Sequence, residues 1–175
     1  MKHIKYLIVF IFSFFFLSST CHGADELKIG YVNFSVLFED YYKTKKAEAE
    51  LKDEADKKQE GIKEIRVEIN NIQKKLGSGV LKQEEKDKQK VVLEQKALQL
   101  NRVIRESKRE LEVKREKAIR GIIKDIEAVI REYSEKNGYT LVMENRDLLY
   151  ADKKLDITKQ IEGLLKKKEI KESKK

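Results

Sequence analysis

Hydrophobic positions along this chain repeat first every two residues, then every three to four, then every two again. Leu27, Ile29 and Tyr31 alternate with Lys28 and Gly30, which predicts a strand over Leu27–Phe34. A long charged stretch follows, from about Ser35 to Leu76. In its second half Ile62, Ile65, Ile69, Ile72 and Leu76 fall at heptad a/d spacing, and Ala47, Leu51 and Ala55 carry a thinner seam before them. Gly77-Ser78-Gly79 is a helix stop and turn. A second helix is expected from Val80 to about Lys136. Its seam is Leu93, Ala97, Leu100, Ile104, Ser107 and Leu111, and it widens at Ile119, Ile122, Ile123, Ile126, Val129, Ile130 and Tyr133. Asn137-Gly138 supplies its C-terminal stop.

Folding the chain at Ser78 brings the two seams together as an antiparallel hairpin. Facing residues should then have numbers adding to about 156, so that Ile62 lies near Leu93 and Leu51 near Ile104. At about 1.5 Å per residue, an arm of about 40 residues is roughly 60 Å long. The second helix outlasts the first, and its surplus begins near Gly121, where the narrow seam broadens into a face suited to a sheet. Beyond it, Tyr139–Glu144 and Leu148–Tyr150 read as two short strands around an Asn145-Arg146-Asp147 turn. Asp156 is placed to cap a last helix bearing Ile157, Ile161, Leu164 and Leu165 on one side, with a frayed lysine-rich tail after it.

The expected fold is therefore mainly α with a small β body: a long helical hairpin, a coiled-coil tentacle, projecting from a small sheet base. Residues 24–34 and 122–165 form the base, 35–121 the arm with its tip at 77–79, and 166–175 the basic tail. About three short strands make a meagre core for one chain, and oligomerisation through the base is the natural remedy. Ile29, Tyr31, Val32, Leu141, Val142, Met143 and Tyr150 are the expected core and subunit-interface residues of that body.

The first 23 residues change what chemistry is available. Lys2 and Lys5 precede an apolar run from Tyr6 to Leu17, and small residues lead to Gly23, the order of a cleavable secretory signal. The alternative is lipid attachment at Cys21, although Leu17-Ser18-Ser19-Thr20-Cys21 fits a lipobox poorly. His3, His22 and Cys21 all lie in this segment, so the mature chain has no histidine, cysteine, tryptophan or proline. That removes disulfides, thiolate and Ser-His nucleophiles and the usual zinc ligands, and no phosphate-cradling glycine motif appears. An enzyme is not expected, nor any cofactor. Charged residues make up 40% of the chain, and the mature portion carries a net charge of +6. Such polarity, with no proline, suits long helices with narrow seams rather than one large core.

The ends carry a family resemblance. Lys28-Ile29-Gly30-Tyr31-Val32-Asn33 resembles the opening strand of the periplasmic chaperones called Skp or OmpH. Gly138-Tyr139-Thr140-Leu141-Val142-Met143, Leu149-Tyr150-Ala151-Asp152 and Leu155-Asp156-Ile157-Thr158 resemble its closing strands and last helix. The resemblance covers the whole mature chain, though its middle would match almost any charged coiled coil. It implies a homotrimer with a β-barrel-like body and three hanging hairpins, which holds unfolded outer-membrane proteins in the periplasm without ATP. It also implies contact with lipopolysaccharide for some members, but no local motif here transfers that site.

Two features of the arm are candidates for function. Lys82–Lys90 contains no apolar residue, whereas the facing part of the first helix carries Val67, Ile69, Ile72 and Leu76. Either Lys82, Lys86 and Lys88 lay their methylene stems over these residues, or the outer arm leaves an apolar strip partly open to a client. Gly61 and Gly121 interrupt the helices, as tolerated glycines or as hinges that let the arms spread. Most of the charge is a solvated helix face, and the excess positive charge attracts acidic clients or anionic lipid headgroups at long range. Export and the lack of a basic-aromatic platform argue against nucleic acid. The rival to a holdase is a cell-envelope coiled-coil scaffold or tether with one fixed folded partner.

Overall fold

The computed structural model describes residues 27–173. The expected signal segment, its cleavage site and Cys21 lie outside the described residues. Strand β1 (Ile29–Val32) pairs in parallel with β2 (Leu141–Glu144), Ile29 opposite Leu141 and Val32 opposite Glu144. Parallel neighbours need a long crossover, and here the crossover is the entire hairpin. It consists of a short helix α1 (Phe34–Asp40), a long α2 (Tyr42–Gly77) and a longer α3 (Gln83–Asn137). One-turn 3-10 helices at Asn145–Asp147 and Lys153–Leu155 then lead to α4 (Thr158–Glu172).

The helix ends follow from side chains and glycines where the sequence puts them. Asn33 accepts a hydrogen bond from the Val36 N–H at 3.2 Å and caps α1. Asp156 stands one residue before the N-cap of the last helix, which is Ile157, and accepts from the Thr158 N–H at 2.8 Å. Gly138, at φ 69°, closes α3, and the Tyr139 N–H returns to the Ser134 carbonyl at 2.9 Å. Gly30 is required for a different reason: a Cβ there would sit 2.9 Å from Cε1 of Tyr139, whose ring lies under the Lys28 ammonium.

Three expectations need correction. The first helix is broken at Tyr41, whose ψ of 129° is extended, although no glycine or proline marks the place. The cause is tertiary: Leu37 and Tyr41 are both buried, and the Tyr41 hydroxyl donates to Asp125 of α3 at 3.2 Å. Leu148–Tyr150 is irregular rather than a strand, and Leu149 and Tyr150 are fully or almost fully exposed. The third pairing falls instead at Asp156, which bridges to Tyr31 on the free edge of β1, with the Ile157 N–H donating to the Tyr31 carbonyl at 3.0 Å. Finally, the lysine tail is helical as far as Glu172, because Ile161 and Leu165 anchor α4 on the base and its glutamates pair with nearby lysines.

The base is held by one hydrophobic cluster. Val32, Leu37 and Tyr41 meet Ile122, Ile126 and Val129 of α3 and Ile157, Ile161 and Leu165 at the start of and along α4. Ile126 and Ile161 have no exposed surface. The wide apolar face at the end of α3 thus packs on α1 and α4 as well as near the strands, which is why it is wider than a two-helix seam.

Candidate binding surface

Along the arm the two helices meet through a thin interface. Between Lys45 and Ala118 only Ile62 and Ser107 are buried; Leu51, Ile65, Ile69, Ile72, Leu76, Leu93, Leu100, Ile104 and Leu111 are half-buried. Ion pairs clamp the flanks. Lys58 meets Glu110 and Lys96 meets Glu68, each at 2.5 Å, and Lys114 meets Glu54. Hydrogen bonding from Lys114 holds the Glu54 carboxyl below its ordinary range.

These pairs also correct the register. Their numbers add to 164–168 rather than 156. The turn occupies Ser78–Lys82 rather than 77–79, because α3 begins only at Gln83; this alone moves the axis of the hairpin by two residues. Continued toward the tip, the observed register sets Ile69 and Ile72 against the region of Leu93 and Lys96 rather than against Lys82–Lys90. Val67 points off the seam and is 51% exposed.

The three candidate lysines accordingly differ from one another. Lys82 is exposed at the N-terminus of α3, where its backbone N–H donates to Glu85 at 3.2 Å. Lys88 is paired with Glu84 on its own helix at 2.7 Å. Only Lys86 is half-buried toward the seam. Neither candidate hinge is crowded: a Cβ at Gly61 or Gly121 would meet nothing within 4 Å, and both helices run through these positions without interruption.

At the root of the arm lie two features that the heptad pattern does not announce. One is a polar cluster around Asp125. It accepts from Tyr41 at 3.2 Å, from Lys43 at 2.6 Å and from Lys168 at 3.3 Å, so one carboxylate ties α2, α3 and α4 together. Burial works against its charge, yet the hydrogen bonds from Lys43 and Lys168 hold it below the ordinary carboxylate range. Burial and the Asp125 charge push the Tyr41 phenol well up. The Lys43 ammonium is also held above its usual value, because bonds to Asp125 outweigh the burial that opposes its charge.

The other is a groove of about 490 Å³ between α2 and α3. Ala47, Leu51 and Ala55 form one wall, and Leu111, Ala118 and Ile119 the other. Alanines on both helices leave room that leucines would fill. Thr44, only 4% exposed, closes the inner end, and its hydroxyl has no hydrogen-bond partner among the described residues. Sequence reasoning reached Ala47 and Ala55 as weak seam positions, and their small size was the available signal.

In the body, Tyr31 and Val32 are buried within the single chain, and Val142 and Met143 are half-buried. Ile29, Leu141 and Tyr150 are exposed, together with Leu27 and Leu149. The exposed edge of β2 and this apolar set lie at the same end of the molecule, opposite the tip.

A model of the family described as outer membrane protein (OmpH-like) matches residues 28–164, the strands and the arm between them. The chain belongs to the OmpH-like family. A solved structure with the same fold is that of a candidate outer membrane chaperone (OmpH-like) from Caulobacter crescentus CB15. It matches this OmpH-like chain with a TM-score of 0.72 at 17% identity, over 78% of this chain and 82% of that one. At that identity the likeness is one of fold. No curated protein matches the chain. The OmpH-like fold is thus a small parallel pair of strands from which two long helices project, and among the described residues no helix is long and apolar enough to cross a membrane.

Proposed function

We propose that this OmpH-like protein is an ATP-independent periplasmic holdase chaperone that binds unfolded outer-membrane proteins and prevents their aggregation. The observation that carries this reading is the arm. A helix of 36 residues and one of 55 extend about 54 Å and about 80 Å, yet bury almost nothing fully between them beyond the base. Half-open isoleucines and leucines flanked by charge offer many weak apolar contacts and no fixed shape, which suits chains without structure of their own. Val67, Ile69, Ile72 and Leu76 are the proposed client contacts, with Lys82, Lys86 and Lys88 farther toward the tip, and Gly61 and Gly121 are points where the arm can bend. Family membership supports the same reading.

The body needs partners of its own kind. Leu149, Tyr150, Leu141 and Ile29 would be covered by neighbouring copies, with the free edge of β2 extended by their strands, in a homotrimer carrying three arms around a cavity. The net positive charge would draw anionic lipid or lipopolysaccharide to the arms at low salt.

The test is light-scattering mass of the mature protein, alone and after a urea-unfolded outer-membrane barrel is diluted into it without nucleotide. A trimer that keeps the client soluble in a defined complex is the expected result. A monomer or dimer that lets the client aggregate overturns the proposal and favours a scaffold with one folded partner.

A further inference from the structure

Away from the seam, the two helices of the arm carry opposite charge at matching heights. On α2, Asp56, Glu60 and Glu64 follow one another four residues apart and lead to Val67. On α3, Leu98 leads to Arg102, Arg105 and Arg109, three or four residues apart. By the helical period both rows lie on the far sides of the hairpin, about half a turn from the seam. All six charged residues are exposed, as are Val67 at 51% and Leu98 at 61%. None of the six enters an ion pair among the described residues, and Lys63 and Glu106 at the margins of the rows form none with them. Like charges one turn apart destabilise a helix slightly, so each row is unfavourable until an opposite row faces it.

The ion pairs across the seam put residues at one height when their numbers add to 164–168. Val67 with Leu98, Glu64 with Arg102, Glu60 with Arg105 and Asp56 with Arg109 add to 165 or 166. Within one arm these partners face away from each other, across two helices whose axes alone lie roughly 8–10 Å apart. A neighbouring copy removes that separation. Rotation about an axis along the arms keeps every residue at its own height, so α3 of one copy meets α2 of the next with each arginine opposite a carboxylate. We propose that in the client-free homotrimer α3 of each arm docks on α2 of the next through these two rows. The inference rests on the trimeric holdase reading and deepens it. It gives the empty protein a closed form, in which Val67, a proposed client contact, is covered by Leu98 of the neighbouring copy until a client displaces that arm.

The mature chain contains no cysteine, so a pair introduced at exposed positions reports the contact alone. Val67→Cys with Leu98→Cys cannot close within one hairpin, because a disulfide needs Cα atoms within about 7 Å. Under mild thiol oxidation at low salt, the full mature double variant should form covalent dimers and trimers at least about tenfold faster than either single variant. In the same background Arg102→Glu, Arg105→Glu and Arg109→Glu together should slow this roughly tenfold, the combined effect of three exposed ion pairs. Adding Asp56→Lys, Glu60→Lys and Glu64→Lys should restore it. Salt raised to about 0.5 M should slow the unreversed pair, and a bound urea-unfolded barrel should slow it several-fold. Helical circular dichroism confirms that each variant is folded.

A trimer by light scattering whose folded double variant links no faster than the single variants overturns the proposal and leaves the trimer standing. Linking that ignores charge reversal, salt or a bound client overturns it too, as do covalent products heavier than a trimer, which would place the contact between trimers. A protein that is monomeric by light scattering overturns both readings.

Discussion

Replacing Asp125 by asparagine should loosen the arm from its base with little change in shape. The carboxylate accepts from Tyr41, Lys43 and Lys168, and Lys43 and Lys168 each have about a third of their side chain exposed. Hydrogen bonds to a charged group contribute roughly 1.5–3 kcal/mol when buried, and exposed ion pairs less than about 1 kcal/mol. With partial exposure weighed in, Asp125→Asn should cost about 2 kcal/mol. For a chain of this size that lowers the thermal midpoint by about 4–8 °C, read from helical circular dichroism.

The pH dependence supplies a sharper check on the same cluster. The Asp125 carboxyl is held below its unfolded value of 3.8. Its contribution is therefore complete above that value and disappears as the pH falls through the folded one, so wild type and Asp125→Asn should converge in acid. Lys43 and Tyr41 are both raised above 10.5 and 10.0. Their contribution is complete below those values and is lost as the pH climbs through the folded ones, so wild type should also weaken in strong alkali. Lys43→Met combined with Asp125→Asn completes a double-mutant cycle. A coupling below about 0.3 kcal/mol, or a stability gap between wild type and Asp125→Asn that persists unchanged into strong acid, would refute the reasoning.

Other substitutions should separate base, arm and client contacts. Ile126→Ala removes a core side chain with no exposed surface and should cost about 2–5 kcal/mol by chemical denaturation; a loss under about 1 kcal/mol would mean the base is not the seat of stability. Gly30→Ala forces a Cβ against Tyr139 and should destabilise the base by about 1–3 kcal/mol, with relief by Tyr139→Leu in the same melt. Gly61→Ala meets no obstacle and should stabilise α2 by about 1 kcal/mol; if Gly61 is a flex point, the variant should also hold a narrower size range of clients in pull-down, and an unchanged range assigns it no hinge role. Ile69→Ser with Ile72→Ser should weaken retention of an unfolded barrel several-fold while the base melts as before, and unaltered retention would remove this strip from the client surface.

Much of the arm was written in the sequence because its interactions are local and periodic. The heptads of Ile62–Leu76 and Leu93–Leu111, the glycines at 77, 79 and 138, and the absence of proline specify two long helices and a reversal through helix propensity and i, i+3, i+4 neighbours alone. Asn33 caps α1, and Asp156 accepts from the first N–H of α4, through side chains that reach only two or three residues along the chain. The change at Ile119–Tyr133 from a seam to a broad face also reads directly, since it records how many neighbours α3 must meet.

What escaped the sequence depended on groups far apart in the chain. No local residue breaks the helix at Tyr41; the break follows from burying Leu37 and Tyr41 against α3 and from Asp125, 84 residues away. Leu148–Tyr150 has strand-like composition but pairs with neither strand: Asp156 and Ile157 take the outer side of β1, and the outer edge of β2 stays open. A heptad pattern shows which faces meet but fixes their register only through the turn, so the offset of the hairpin was set by where α3 begins, at Gln83. The groove beside Thr44 arises the same way: each alanine along α2 and α3 is ordinary alone, and a space forms only where packing sets Ala47 at the level of Ala118 and Ala55 at the level of Leu111.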